Sequence, residues 1–309
     1  MERLRSGIVL SVIALVMSVA LGPGGGPASR LVAAQSFECA PTAMPAVSPA
    51  AVAPPVAEDA ATPAAAFPEE GGELTVFAAA SLTDAFNSMK ETLESDHEGL
   101  TITYNFGGSP TLVTQLAEGA AAEVVALASL RQMDAAIEQE VIAGEATNFA
   151  QNRLAIVVPA DNPADVQTPV DLAKDGLTLV VAAAEVPVGQ YARESVCKMG
   201  NDETRFGDGF VDKVAANVVS EEDNVKAVLT KVAIGEADAG FVYTTDVTAD
   251  VADDVLLIDI PTEVNVIARY PIAAAAGGDA ELAQAFIDYV LGKEGQSTLV
   301  AYGFEPIVA

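Results

Sequence analysis

The chain has no tryptophan, one histidine and two cysteines, and only 15 Lys and Arg stand against 44 Asp and Glu in its 309 residues. Each scarcity closes off a class of chemistry. The one histidine, His97, sits in the polar run Ser95-Asp96-His97-Glu98-Gly99 and is expected to be solvated. Neither it nor the cysteines can build a His/Cys metal centre or a His-activated nucleophile. A formal charge of −29 would repel nucleic acid and anionic membrane at long range, so neither is expected as a partner. The G-x-S-x-G elbow, the H-E-x-x-H helix, the P-loop and the dinucleotide fingerprint are also missing. Binding is therefore the better expectation than catalysis, no cofactor is expected, and any anionic ligand must be held by local dipoles rather than by excess cations.

Long apolar runs are scarce too. The run Ile8 to Leu21, preceded by Arg3 and Arg5, is broken by Gly22-Pro23-Gly24-Gly25-Gly26. It is short for a membrane span and suits an export signal, with a small-residue cleavage site at Val32-Ala33-Ala34. Residues 1–34 are therefore expected to be a signal peptide, and residues 35–72, rich in Pro and Ala, a disordered linker. The product is expected to be exported, periplasmic or extracellular, with tethering through a lipidated Cys39 or an uncleaved N-terminus as alternatives. Export makes Cys39 and Cys197 candidates for a disulfide. Equally, Cys197 inside an apparent helix could be a plain buried apolar residue.

What the chain does have is about half its residues apolar and enough length for two lobes, since single cores rarely grow beyond roughly 250 residues. From Glu73 onward, short apolar strands alternate with helices: strands at 74–79, 100–105 and 123–128, helices at 82–95, 110–118 and 130–139. Leu82, Ala85, Phe86, Met89 and Leu93 recur at helical spacing and give the first helix a core-facing stripe. Further strands are expected at 153–159, 177–182 and 239–243, with helices at 190–199, 224–234 (stopped by Gly235) and 280–291. This order means α/β architecture with parallel strands covered on both faces.

Two turns carry chemistry. Ser81 follows the apolar strand Leu74-Thr75-Val76-Phe77-Ala78-Ala79 at the start of a helix, and Ser109 precedes Pro110 in Phe106-Gly107-Gly108-Ser109-Pro110. At such points backbone N–H groups lack intrahelical partners and the helix dipole favours an anion. Ser109 is expected to be an N-cap with Pro110 in the first helical position. Plain capping is the commonest use of a serine there, and Tyr243, at the end of an apolar strand, could equally be a core residue.

Taken in order, Val76-Phe77-Ala78-Ala79-Ala80-Ser81-Leu82, Phe106-Gly107-Gly108-Ser109, Val186-Pro187-Val188-Gly189-Gln190-Tyr191-Ala192, Gly235-Glu236-Ala237-Asp238-Ala239-Gly240-Phe241-Val242-Tyr243 and Tyr302-Gly303-Phe304 resemble the molybdate-binding proteins of bacterial ABC uptake systems. The resemblance implies a two-lobed periplasmic-binding-protein fold, each lobe a mixed, mostly parallel sheet flanked by helices, joined by a two-strand hinge. Lobe 1 would comprise 73–152 and 269–309, and lobe 2 would comprise 153–268. It implies a tetrahedral oxyanion, molybdate or tungstate, held by Ser81 and Ser109, by the backbone amides of Val188 and Val225, and by the Tyr243 hydroxyl, with no side chain ligating the metal directly. Val188 stands where the family more often has alanine. It further implies delivery to an ABC permease and a monomer. Sulfate or phosphate on the same fold is the alternative. Gly119-Ala120-Ala121-Ala122-Glu123-Val124 and Ala128-Ser129 depart from the family's usual residues, which puts local hydrogen bonding in the first lobe in question.

Overall fold

The computed structural model describes residues 37–39 and 67–307. The expected signal peptide and most of the expected linker lie outside these residues. Beyond them the chain alternates as the apolar periodicity requires. β1 (Gly72–Ala79) leads through a 3₁₀ turn, Ala80–Leu82, into α1 (Thr83–Asp96), whose buried residues Ala85, Phe86, Met89 and Leu93 are the predicted stripe. β2 (Leu100–Gly107), α2 (Ser109–Ala117), β3 (Val124–Ala126) and α3 (Leu130–Glu138) follow. Both β2 and β3 pair with β1 in parallel.

β4 (Ile142–Pro159) is an 18-residue strand that serves two sheets. Up to Arg153 it pairs antiparallel with β9 (Ile267–Ala275); from Leu154 it pairs with β7 (Ala239–Tyr243), and from Ala155 also with β8 (Val255–Asp259). Its first half was not predicted as strand. Register shifts between Ala143 and Thr147, and between Asn148 and Ala150, break the in/out alternation by which a strand is recognised.

The second sheet continues through β5 (Leu179–Ala182), which pairs in parallel with β6 (Val218–Glu222) and β7. Around it pack α4 (Pro187–Gly200), α5 (Glu203–Phe206), α6 (Phe210–Ala216) and α7 (Val225–Ala233), the last ended by Gly235 at φ +73°. α8 (Ala280–Leu291) and α9 (Lys293–Ala301) return to the first sheet, where Phe286 meets Phe86 edge-on with ring centroids 5.8 Å apart. The strand order is β2-β1-β3-β9-β4-β7-β5-β6, with β8 beside β4. This is an α/β fold with mixed sheets; every antiparallel pairing between its strands involves β4 or β9.

Two expectations about the scarce cysteines and histidine are resolved. Cys39 and Cys197 form a disulfide, so the reading of Cys197 as a plain apolar residue is set aside. Phe37 is buried beneath the Arg193 guanidinium, 5.2 Å from its ring centroid. Phe67 packs on His97 with centroids 4.8 Å apart, so the histidine is half-buried rather than simply solvated. The departures from the family pattern are locally satisfied as well. Glu123 accepts from Thr75 N at 2.6 Å, and Ser129 caps α3 by accepting from Gln132 N.

Candidate functional site

All five residues singled out from the sequence line one small cavity between the two sheets, which offers the centre of a water-sized particle about 10 Å³, close to the minimum for one water molecule. Each arrives by a different element, and most arrive at a helix start. Ser81 lies in the 3₁₀ turn after β1, and its Oγ is 2.9 Å from the Tyr270 hydroxyl.

Ser109 corrects an expectation. Gly108, not Ser109, is the N-cap of α2, and Ser109 is the first helical residue with Pro110 second. Its hydroxyl caps nothing. Instead Oγ accepts from Ala128 N at 3.2 Å, which leaves its hydrogen and the Ser109 amide for the cavity.

Val188 occupies the second position of α4, and the preceding Pro187 has no N–H, so the Val188 amide is the first that helix can present. The glycine after it has a structural reason. A Cβ on Gly189 would stand 2.2 Å from the carbonyl oxygens of both Ala182 and Ala183, so only glycine lets α4 seat directly on the end of β5. At α7 the Asn224 side chain accepts from Ala227 N at 3.0 Å, and the Val225 amide, one residue past the cap, has no intrahelical partner.

Tyr243 ends β7. It is 1% exposed, and its hydroxyl oxygen has no hydrogen-bond partner. A buried, unmatched hydroxyl costs about 1–3 kcal/mol, and here it borders the cavity. Burial raises the phenol's pKa well above its usual range, so the group is a neutral donor. None of the residues lining the cavity is Lys or Arg. Among the described residues no cluster of His, Cys, Asp and Glu could hold a metal ion.

The two halves touch around this cavity. Lys226 on α7 pairs with Asp84 on α1 at 2.6 Å, and Gln132 Nε2 donates to the Glu185 carbonyl at 2.9 Å. A Cβ placed on Gly108 would lie 2.1 Å from the Asp223 carbonyl oxygen.

Several neighbours were not found in the sequence. Asn152, Tyr270 and Gln132 belong to no motif and meet the site only through tertiary packing. Asp246 could have been found, because an acid three residues beyond a strand end suits a turn cap. Its Oδ2 accepts from Tyr243 N at 2.8 Å, whereas Oδ1 is buried without a partner. Burial pushes its pKa up to about 6, with the Lys226 ammonium pulling the other way.

Because burial raises its folded-state value, Asp246 contributes its full stability only below the ordinary carboxylate range, and that contribution is lost as pH rises from there through about 6. Asp246→Asn keeps an acceptor for Tyr243 N and removes the titration. Between pH 4.5 and 7.5 the wild type is expected to lose about 2 kcal/mol more than D246N, read from denaturant unfolding at both pH values.

Residues 74–305 match the family of bacterial extracellular solute-binding proteins. The molybdate-binding protein ModA of Mycobacterium tuberculosis (strain ATCC 25618 / H37Rv) is 36% identical over 239 residues, covering 77% of this chain and 86% of that protein. Among solved structures, the periplasmic molybdate-binding protein of Azotobacter vinelandii superposes with a TM-score of 0.65 at 17% identity, covering 76% of this chain and 99% of its own. The sulfate-binding protein SubI of Mycobacterium tuberculosis H37Rv gives a TM-score of 0.67 at 16% identity, covering 76% and 87%. At such identities these two structures establish the fold alone. The chain belongs to the bacterial extracellular solute-binding proteins, as a substrate-binding protein of the ABC-transporter kind related to the ModA proteins.

Proposed function

We propose that this protein captures molybdate or tungstate outside the cytoplasm and hands it to an ABC permease, acting as a monomeric carrier without catalysis or a resident cofactor. The observation that carries this reading is the buried, unpartnered Tyr243 hydroxyl beside two serine hydroxyls and three helix starts, in a cavity with no lining cation. Such a cage suits a dianion that only accepts. Each hydrogen bond to a charged acceptor contributes about 1.5–3 kcal/mol, so several converging neutral donors suffice despite the chain's formal charge of −29. An oxyanion that keeps a proton would lose one bond and set its hydrogen against a donor. Capture proceeds by closure of 73–152 with 269–309 against 153–268, the chain crossing between them twice.

Sulfate on the same fold is the competing reading, and molybdate and tungstate differ from it in size. Micromolar molybdate or tungstate is expected to raise the melting temperature by about 5–10 °C at a hundredfold excess over Kd, and sulfate is expected not to. Val225→Pro sharpens the test. Proline is tolerated at the first helical position and Asn224, at φ −159° and ψ 169°, already has the backbone a following proline needs. The substitution therefore deletes one amide donor and leaves the helix, so most of the ligand-induced shift should vanish. A wild type that fails to respond to either group-six oxyanion overturns the proposal.

A further inference from the structure

The structure holds a chain of buried polar groups behind the cavity that begins at the crossing strands. At the crossing, Arg153 N, a backbone amide that can only donate, gives its hydrogen to Asn152 Oδ1 at 2.9 Å, and Thr244 Oγ1 lies 3.2 Å from the same oxygen. That fixes which end of the Asn152 amide is which. Its Nδ2 must then face Thr245 Oγ1 at 2.7 Å and, at a longer 3.5 Å, the Tyr270 hydroxyl oxygen. Tyr270 is fully buried on β9, and its oxygen faces a donor on the Asn152 side. Its single hydrogen is then available to Ser81 Oγ, 2.9 Å away, a pair in which either hydroxyl can be the donor. With Tyr270 as the donor of that pair, Ser81 keeps its own hydrogen for the cavity. Ser109 is wired the same way by a different donor, since its Oγ accepts from Ala128 N.

The geometry points to Tyr270 as a positioning residue that donates to Ser81 Oγ, biasing Ser81 to donate toward the guest and so making the cavity disfavour oxyanions that still carry a proton. This deepens the oxyanion reading and rests on it. A freely rotating serine can donate to one guest and accept from another, and so discriminates poorly between an acceptor-only anion and one bearing a hydroxyl. A serine that already accepts from Tyr270 can take a guest's hydrogen on its second lone pair only by turning its own hydrogen away from the guest, which costs it that bond. Burial keeps the Tyr270 phenol protonated, so the wiring persists across the working pH range. The ring is held by edge-on contacts with Phe149, Tyr243 and Phe304, which Phe at this position would retain.

The test is a double-mutant cycle, read by titration calorimetry with molybdate on wild type, Tyr270→Phe, Ser81→Ala and the double variant, each checked for an unchanged ligand-free melt. S81A is expected to weaken binding about 30-fold and Y270F about tenfold, with the double variant no more than about twofold beyond S81A. Competition with hydrogen phosphate at pH 8, a dianion that carries one proton, gives the second readout. In Y270F the preference for molybdate should narrow at least about fivefold, because the released hydroxyl can now accept. Additive losses in the cycle, or equal weakening toward both anions, overturn the role of Tyr270. If the wild type binds sulfate instead of molybdate, the functional reading fails while the cycle, repeated with sulfate, still decides the wiring.

Discussion

Gly108→Ala is expected to cost at least about 100-fold in oxyanion affinity while leaving the ligand-free melting temperature within about 2 °C of wild type. The reason for glycine here is not backbone freedom. Gly108 has φ −64° and ψ 134°, a conformation open to any residue. What forbids a side chain is the Asp223 carbonyl oxygen of the facing half, 2.1 Å from where a Cβ would stand, against an ordinary contact of 3.4 Å or more. The two halves would have to part by more than about an ångström to accept the methyl group. Hydrogen bonds weaken steeply beyond about 3.2 Å, so Ser81 and Ser109 on one side and Val188, Val225 and Tyr243 on the other could not all reach one small guest. Calorimetry against the ligand-free melt separates this from unfolding: full affinity in G108A would show that the approach to Asp223 does not control capture.

Loss of the Cys39–Cys197 bond is expected to have the largest effect on stability. The bond closes a sequence separation of 158 residues. Loop-closure entropy for so long a loop amounts to about 5 kcal/mol, though measured values for disulfides more often fall near 2–4 kcal/mol. For a protein of this size that corresponds to a drop in melting temperature on the order of 10 °C. Cys39→Ser with Cys197→Ser, or reduction of the wild type, should produce it. The bond sits beside the buried Phe37 and the Arg193 guanidinium, which also donates to the carbonyls of Ala182 and Gly189. A melt unchanged by reductant would show that residues 37–39 add nothing to the fold.

What could be read in the sequence followed from how local each signal was. The early strands and helices were legible because their periodicity is carried within one element, as in the stripe from Ala85 to Leu93. The site residues were legible as ordered motifs, and they line one cavity. Ser109 was misread as a cap because the preference for serine at helix starts says nothing of where its oxygen turns, and here it turns to Ala128 N. The first half of β4 was illegible because its register shifts erase alternation, and β6, β8 and β9 were not recognised as strands. Asn152, Tyr270 and Thr245 were out of reach for a deeper reason. They come from positions far apart in the chain, and their importance lies in which way each hydrogen points, something only their assembly determines.

β4 and β9 run side by side through the place where the sheets meet, with Asn152 opposite Ala268 and Arg153 opposite Ile267, before β4 passes on unbroken to β7 and β8. A joint made of paired strands rather than loose loop can only bend as a leaf spring does, along its length. Were the halves to close as proposed, the swing would be spread as a slight twist over many backbone units of this ladder instead of falling on one pivot. In the proposed carrier, opening to release the cargo would then relax that same twist.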